Sequence, residues 1–529
     1  MRLYNTLKKT KEELQTLQPH EVSVYVCGPT TYNYIHLGNA RPLVVFDTVR
    51  RYLEYRGYTV KYIQNFTDVD DKIINRAKEE KEDPLQLAER YIKAYFADAD
   101  ALGIKRADVH PRVSQHIPQI ISAIEQLIVK GFAYVVDGDV FFRVRAFEEY
   151  GKLSGRSLED MMAGARVDID ERKEAPADFA LWKAAKAGEP SWDSPWGKGR
   201  PGWHIECSVM AMQYLGETID IHGGGSDLIF PHHENEIAQS EALTGQPFVN
   251  YWMHNGFITV NNEKMSKSLG NFFILRDVLA KFPADVVRFY LVATHYRSPL
   301  DFDDGKLQEA GRALGRLKNT LNLVEEFVAG REKSAEKIGD HPLLQAAEDT
   351  RRQFIEAMDD DFNTARAISY LFELSHKINT FIASASAQDS LQQTVVQKAR
   401  DVLRELGDVL GIFIKKDRKN DKAVADILNI FKDLRQEARS QKDFVLADEI
   451  RNFLSYCEVV MEDTPSGTRF RYSQEPPIDQ LVQKLLDIRE GFKREKNYQK
   501  ADMIRNYLQE TGIMIEDTPK GVRWRIADA

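Results

Sequence analysis

The residues of this 529-residue chain best suited to chemistry crowd into one stretch: five of its twelve histidines (His204, His222, His232, His233 and His254) surround Cys207. Pro231-His232-His233-Glu234-Asn235-Glu236 reads as a helix start. Residues four apart on a helix share a face, so His232 and Glu236 point together while His233 is turned by about 100°. An imidazole, a carboxylate and a thiolate are all ligands that Zn²⁺ accepts. Cys207 supplies one thiolate, and Cys27, at the end of an apolar strand, can supply another. The same residues equally suit a structural histidine cluster with buried cysteines, and spacing alone leaves both open. The HExxH and CxxC patterns of zinc proteases and zinc fingers are absent.

Lys264-Met265-Ser266-Lys267-Ser268-Leu269-Gly270-Asn271 is a second candidate. Two lysines among small hydroxyl residues suit a loop that closes on phosphates, although a short basic loop is more often a solvated turn. Gly223-Gly224-Gly225-Ser226 lacks the Lys-Ser/Thr of a P-loop, and no GxGxxG follows a strand.

The elements that must hold these residues read as α/β. Ser23-Val24-Tyr25-Val26 is a short strand ending in the turn Cys27-Gly28-Pro29-Thr30. A helix follows His36-Leu37-Gly38-Asn39, with Leu43, Phe46, Val49 and Leu53 on one face, Pro42 early in it and Gly57 closing it. Tyr58 to Phe66 reads as the next strand. Strand, crossover helix and strand predict a parallel sheet, whose ligands sit beyond the carboxyl ends, where Cys27 and His36 lie. A helical stretch to about Lys130 precedes a hairpin at Tyr134–Phe142 with an Asp137-Gly138 turn. The Pro-, Gly- and Trp-rich segment from Ala175 to Trp203 reads as an ordered loop. Beyond about Leu300 the strands give way to amphipathic helices, and Lys415 to Lys422 reads as a charged linker.

The last hundred residues repeat. Ala447-Asp448-Glu449-Ile450-Arg451-Asn452 returns 54 positions later as Ala501-Asp502-Met503-Ile504-Arg505-Asn506, and Glu462-Asp463-Thr464-Pro465 as Glu516-Asp517-Thr518-Pro519. The repeat predicts two copies of a small helix-then-hairpin module.

Composition sets outer limits. The length allows three to four domains at about 150 residues each. Hydrophobic residues at 43% and charged residues at 29% suit a globular protein with a large core. A net charge of −9 advertises no nucleic-acid partner, and three scattered cysteines (Cys27, Cys207, Cys457) exclude a disulfide scaffold and suit a reducing cytoplasm. No signal-peptide pattern and no apolar run of membrane-spanning length is read.

The pairing of His36-Leu37-Gly38-Asn39 at a first βα turn with Lys264-Met265-Ser266-Lys267-Ser268 after the last strand resembles the two signatures of class I aminoacyl-tRNA synthetases. Around them the chain resembles the cysteinyl-tRNA synthetase family. The residues that carry this are Val26-Cys27-Gly28-Pro29-Thr30-Thr31-Tyr32, Asn65-Phe66-Thr67-Asp68-Val69-Asp70-Asp71-Lys72, Pro201-Gly202-Trp203-His204-Ile205-Glu206-Cys207-Ser208, Asp220-Ile221-His222-Gly223-Gly224-Gly225-Ser226-Asp227, Pro231-His232-His233-Glu234-Asn235-Glu236 and Met358-Asp359-Asp360-Asp361-Phe362-Asn363-Thr364. The resemblance covers about residues 1 to 470.

That resemblance implies one Zn²⁺ per chain on Cys27, Cys207, His232 and Glu236, taking the substrate L-cysteine as a thiolate. It implies amino-acid contacts from Gly28, Thr30, Trp203 and His204, and ATP contacts from Thr30, His36, Gly38, Asn39 and Lys267. His36, Lys264 and Lys267 are the implied catalytic residues, Mg²⁺ accompanies the ATP, and cysteine passes to the terminal adenosine of tRNA(Cys). A monomeric cytoplasmic enzyme with no membrane partner and no editing domain is expected. The implied fold is a Rossmann-like catalytic domain over residues 1–260 with an insertion at about 131–200. A connecting segment with the lysine loop over 261–304, a helical tRNA-binding bundle over 305–425, and module copies over 426–475 and 476–529 follow. The family pattern is expected to hold one such copy, so the second is a departure, and whether one copy is a spacer stays open. Phe444 and Tyr498, with Arg469, Arg471, Arg523 and Arg525, are candidates to meet loop nucleotides. Two rivals are a cysteine:amino-sugar ligase, disfavoured by the long C-terminal half, and an inactive tRNA-binding paralogue, disfavoured by intact His36, Lys267 and zinc positions. Cys457 has only a packing role to offer.

Overall fold

A computed structural model gives the structure of the protein and describes residues 1–157, 171–260, 263–264, 273–328, 340–386, 389–414, 418–457, 459–464, 467–472, 476, 478–511, 513–518 and 521–526. In chain order the first elements are β1 (Arg2–Asn5), β2 (Thr10–Glu13), β3 (Glu21–Val26), α1 (Leu37–Tyr55), β4 (Thr59–Gln64), α2 (Asp71–Glu80), α3 (Pro84–Ala101) and α4 (Ile117–Val129). Then come β5 (Ala133–Val136), β6 (Asp139–Phe142), β7 (Phe179–Ala184), β8 (Gly199–Pro201), α5 (Trp203–Leu215), β9 (Ile219–Gly225), α6 (Glu234–Thr244), β10 (Val249–Asn255), β11 (Ile258–Val260) and β12 (Glu263–Lys264). The helical part holds α7 (Leu275–Lys281), α8 (Ala284–Val292), β13 (Leu300–Asp301), α9 (Asp304–Val328), α10 (Pro342–Asp359), α11 (Thr364–Ser384) and α12 (Ser390–Leu410). The tail holds α13 (Arg418–Ser440), α14 (Phe444–Tyr456), β14 (Val459–Thr464), β15 (Gly467–Tyr472), α15 (Ile478–Arg494), α16 (Tyr498–Glu510), β16 (Ile513–Thr518) and β17 (Gly521–Ile526). The chain divides into two compact units, Met1–Leu307 with Val324–Phe413, and Gln308–Leu323 with Ile414–Ala529.

The first unit is organised by the predicted parallel sheet, in the order β10-β9-β3-β4. Val26 at the end of β3 pairs with Gly223 of β9 and Gln64 of β4, so three strand ends open on one side. Both faces are covered, which is why Val24, Tyr25, Val26 and Ile221 are all buried rather than alternating. A Cβ at Gly223 would lie 2.2 Å from the Phe46 ring, so glycine lets α1 pack flush on the sheet. The Asp137-Gly138 turn is present, with both residues at positive φ, as a tight hairpin requires.

Two local expectations fail. The segment from Ala175 to Trp203 is only partly a loop: β7 and β8 extend the β5–β6 hairpin into a four-stranded antiparallel sheet, and residues 185–198 between them are irregular. Its Trp182 is fully buried, so this tryptophan marks a core strand rather than a loop over one. The expected linker also shrinks, because Arg418 to Lys422 already belong to α13. Lysine and arginine are good helix formers, and a charged first turn does not end an amphipathic run.

The bundle α10–α12 packs around Phe354, Leu371, Leu374, Leu403 and Leu406, all fully buried. The two C-terminal copies share one core: Ile427, Phe431, Ile450 and Leu454 of the first cluster with Leu481, Leu485, Ile504 and Leu508 of the second. Among the described residues, no helix is long and apolar enough to cross a membrane.

Candidate functional site

The carboxyl ends of β3, β9 and β10 open into a cavity of about 360 Å³ lined by Cys27, Gly28, Thr30, His36, Gly38, Asn39, Trp203, Asp227 and Asn255, among others. His36 N-caps α1: its Nδ1 accepts from the Asn39 N–H at 3.3 Å, and the Asn39 Oδ1 accepts from the His36 N–H at 3.2 Å. That reciprocal cap sets the first turn of α1, with its positive dipole end, beside the cavity, which Gly38 and Asn39 line. Arg41, buried in the same helix, donates to the carbonyls of Gly256, Phe257, Tyr296 and Ser298, tying α1 to the end of β10. Burial pulls its guanidinium down to about 10. Gly28 N–H donates to Asn65 Oδ1 at 2.9 Å, and a Cβ there would sit 1.6 Å from the Asn65 carbonyl oxygen. The position admits glycine alone.

Beneath the cavity floor the sequence-predicted metal candidates meet. One donor atom each from Cys27, Cys207, His232 and Glu236 lies within 4.8 Å of the others, and the four could hold a metal ion. The two sulfurs are 3.7 Å apart, Cys27 Sγ is 3.5 Å from Glu236 Oε1, and His232 Nε2 is 3.0 Å from the same oxygen. Cys27 leaves β3, Cys207 rides on α5, and His232 precedes α6, whose third residue is Glu236. The i,i+4 reading of His232 and Glu236 is what the structure shows.

Electrostatics in this pocket pull its four groups in different directions, with the thiols and carboxylate sharing protons with His232. The Cys27 hydrogen bond pulls the Cys207 thiol down to about 6 although burial opposes it, while burial pushes Cys27 well up. Burial disfavours a charged His232, but the Glu236 carboxylate overrides it and holds the imidazole up at about 10. Glu236 is held well below its ordinary range against burial, by His222 and His232.

Sequence reasoning missed the residues behind this floor. His222 Nε2 lies 2.8 Å from Glu236 Oε2, and His233 Nε2 lies 3.4 Å from Cys27 Sγ. These two form an alternative donor set with Cys27 and Glu236. His233 Nδ1 continues to His254 Nε2 at 2.8 Å, and His254 Nδ1 to the Thr6 hydroxyl at 2.8 Å. The histidine crowding itself was the available signal; the strand phase that aims His222 and His254 inward was not read. Trp203 stacks on His232 with ring centroids 4.3 Å apart and lines the cavity. His204 stands differently from its expected place on the pocket wall: its Nδ1 lies 2.9 Å from His232 Nδ1, behind Trp203. Lys264 ends β12, and Lys267 with Met265, Ser266, Ser268, Leu269, Gly270 and Asn271 lies outside the described residues.

A parallel sheet whose strand ends carry a capped His36 turn and a thiol–imidazole–carboxylate floor defines a class I aminoacyl-tRNA synthetase catalytic fold. Residues 13–312 match the family of class I (C) tRNA synthetase catalytic domains, residues 353–414 the DALR domain, and residues 475–525 the cysteinyl-tRNA ligase anticodon-binding domain. A cysteine–tRNA ligase of Desulforamulus reducens is 58% identical over 484 residues, covering 89% of this chain and 99% of that protein. One of Carboxydothermus hydrogenoformans is 52% identical over 526 residues, covering 99% and 100%. The fold is shared with a solved Mycobacterium tuberculosis methionyl-tRNA synthetase in complex with methionyl-adenylate, at TM-score 0.57, 15% identity, and 74% and 91% coverage. The chain belongs to the cysteine–tRNA ligase family.

Proposed function

We propose that this protein joins L-cysteine to tRNA(Cys) in two steps, forming cysteinyl-adenylate and pyrophosphate from ATP and then esterifying the 3′-terminal adenosine. The observation that carries the reading is the buried Cys27–Cys207–His232–Glu236 quartet under the cavity at the strand ends. Two thiols, an imidazole and a carboxylate are a donor set that would hold zinc, and the sulfurs 3.7 Å apart, with Glu236 Oε1 3.5 Å from Cys27 Sγ, are close enough to share one ion. Two cysteines in this set favour it over the quartet with one, since zinc is a borderline-soft metal. Bound there, zinc supplies a ligand position that prefers a thiolate to a hydroxyl.

The chain's own residues do the rest. Trp203 and the Gly28–Thr30 turn confine the amino acid above the quartet, and Gly28 keeps the backbone close to Asn65. The cysteine carboxylate is ionised at neutral pH, so attack on the α-phosphate needs positioning and charge stabilisation rather than a general base. His36, Gly38 and Asn39, at the amide-rich start of α1, take the ATP with its Mg²⁺, and Lys264 and Lys267 bring positive charge to the phosphates. The bundle and the two C-terminal modules hold the tRNA, and the enzyme acts as a monomer in the cytoplasm. The deciding experiment is ATP-dependent charging of tRNA(Cys) with labelled cysteine. Charging is expected; a purified, metal-loaded protein that charges no tRNA(Cys) contradicts the reading.

A further inference from the structure

The two C-terminal copies correspond at an offset of 54 well beyond the repeated motifs. Buried Ile427, Leu428, Phe431 and Leu434 of α13 answer to buried Leu481, Val482, Leu485 and Ile488 of α15. Buried positions kept their apolar character, which a shared core requires. Of the positions facing outward between the copies, some kept their type, as Phe453 and Tyr507, Gln483 and Asn429, or Asp487 and Asp433 do, and others did not. A cavity of about 590 Å³ opens there, lined by Phe453 and Tyr456 from the first copy and by Gln480, Gln483, Lys484 and Trp524 from the second, with Asp479 and Asp487. Fifty-four positions away, Tyr456 answers to Glu510, Gln480 to Asp426 and Lys484 to Ile430. One side of the repeat has thus gained an aromatic ring, an amide and an ammonium where the other carries two carboxylates and an apolar chain. Folding does not ask for this: Tyr456 is 80% exposed.

The lining describes its ligand. The Tyr456 and Trp524 rings suit a flat apolar surface, and the Gln480 and Gln483 amides a polar edge, with Gln480 Oε1 accepting from the Cys457 thiol at 3.8 Å. Gln483 is held by its Nε2 donating to Asp487 Oδ1 at 2.9 Å. Lys484 Nζ, paired with Glu449 at 2.6 Å, sits 5.6 Å above the Phe453 ring. Asp479 and Asp487 repel phosphate, so the backbone of a nucleic acid stays outside while its base enters. We propose that the cleft between the copies binds an unpaired nucleobase of the tRNA, against Tyr456 and Trp524 and read at its edge by Gln480 and Gln483. The site exists only because the module is doubled, and it rests on the tRNA-ligase reading above.

The test measures tRNA(Cys) affinity of the full chain at one fixed salt concentration, for wild type, Tyr456→Ala, the double variant Gln480→Ala/Gln483→Ala, and Glu510→Ala as the pseudo-equivalent control. Losing a stacked base weakens binding roughly tenfold or more. That loss is expected in the first two variants and not in Glu510→Ala, with cysteine-dependent ATP–pyrophosphate exchange unchanged throughout. Wild-type affinity in both cleft variants overturns the proposal, as does an equal loss in Glu510→Ala. All the altered side chains are exposed, and superimposable melting curves confirm the fold; should Tyr456→Ala fail to fold, the glutamine pair decides. Failure of the wild type itself to charge tRNA(Cys) would instead sink the ligase reading and leave the cleft aside.

Discussion

Cys207 is the residue on which the chemistry turns. The Cys27 hydrogen bond lowers its thiol pKa against the opposing effect of burial, and metal binding completes the deprotonation. Cys207→Ser is expected to lose bound zinc, measured by metal analysis of purified protein, because a serine hydroxyl resists deprotonation. A variant that keeps one zinc per chain would remove Cys207 from the shell. Gly28→Ala tests the other wall. Its methyl would fall 1.6 Å from the Asn65 carbonyl, so the β3 turn must move and KM for cysteine in ATP–pyrophosphate exchange should rise at least about tenfold. An unchanged KM would mean that the turn is not fixed. What was legible at this scale followed sequence distance. His232 and Glu236 are four apart on one chain segment, so helix phase brings them together. Cys27 and Cys207 are 180 residues apart and meet because α5 packs against β3. Residue type made both cysteines candidates, and only the family resemblance chose zinc over a structural cluster.

At the scale of elements, Arg288 of α8 ties the middle of α1 and two helix ends into the catalytic unit. Fully buried, it bonds Asp47 of α1 at 2.5 Å, the Leu410 carbonyl at the end of α12 at 3.1 Å and the Leu102 carbonyl after α3 at 3.2 Å. Burial pushes the Asp47 carboxyl up, yet Arg288 and Arg51 outweigh it and hold the group below its ordinary value. A depressed folded-state value contributes stability above the unfolded pKa, near 4, and loses it as pH falls through the folded value. Arg288→Met leaves Asp47 a buried charge with one partner fewer and should cost about 3–5 kcal/mol in urea unfolding at pH 7. Its acid unfolding should begin at higher pH; wild-type stability at both pH values would contradict the account. None of this was visible in the sequence, since a lone arginine in an apolar helix carries no sign of its partners. The same reason hid β7 and β8: their pairing with the β5–β6 hairpin is tertiary, and the local Trp, Pro and Gly content pointed to a loop.

For the whole molecule, the repeat predicted two helix-then-hairpin modules and left open whether they stand apart. Periodicity reveals helices, whereas a core shared by α13, α14, α15 and α16 appears only when they are packed together. Deleting residues 476–529 strips Leu481, Leu485, Ile504 and Leu508 from that core. The first copy should then become sensitive to limited proteolysis while cysteine-dependent ATP–pyrophosphate exchange, seated in the other unit, persists. A protease-resistant first copy would show that each module folds alone. Net charge misled at this scale: −9 gave no hint of an RNA partner, because charge bounds solubility and leaves site chemistry unspecified. The central claim is that cysteine is chosen through a thiolate held over the Cys27–Cys207–His232–Glu236 quartet. The most direct measurement is the ratio of kcat/KM for cysteine and serine in ATP–pyrophosphate exchange by the zinc-loaded wild type. Selection by coordination predicts a ratio of about 10⁴ or more; a ratio of roughly 10–200, all that an apolar pocket achieves, would contradict it.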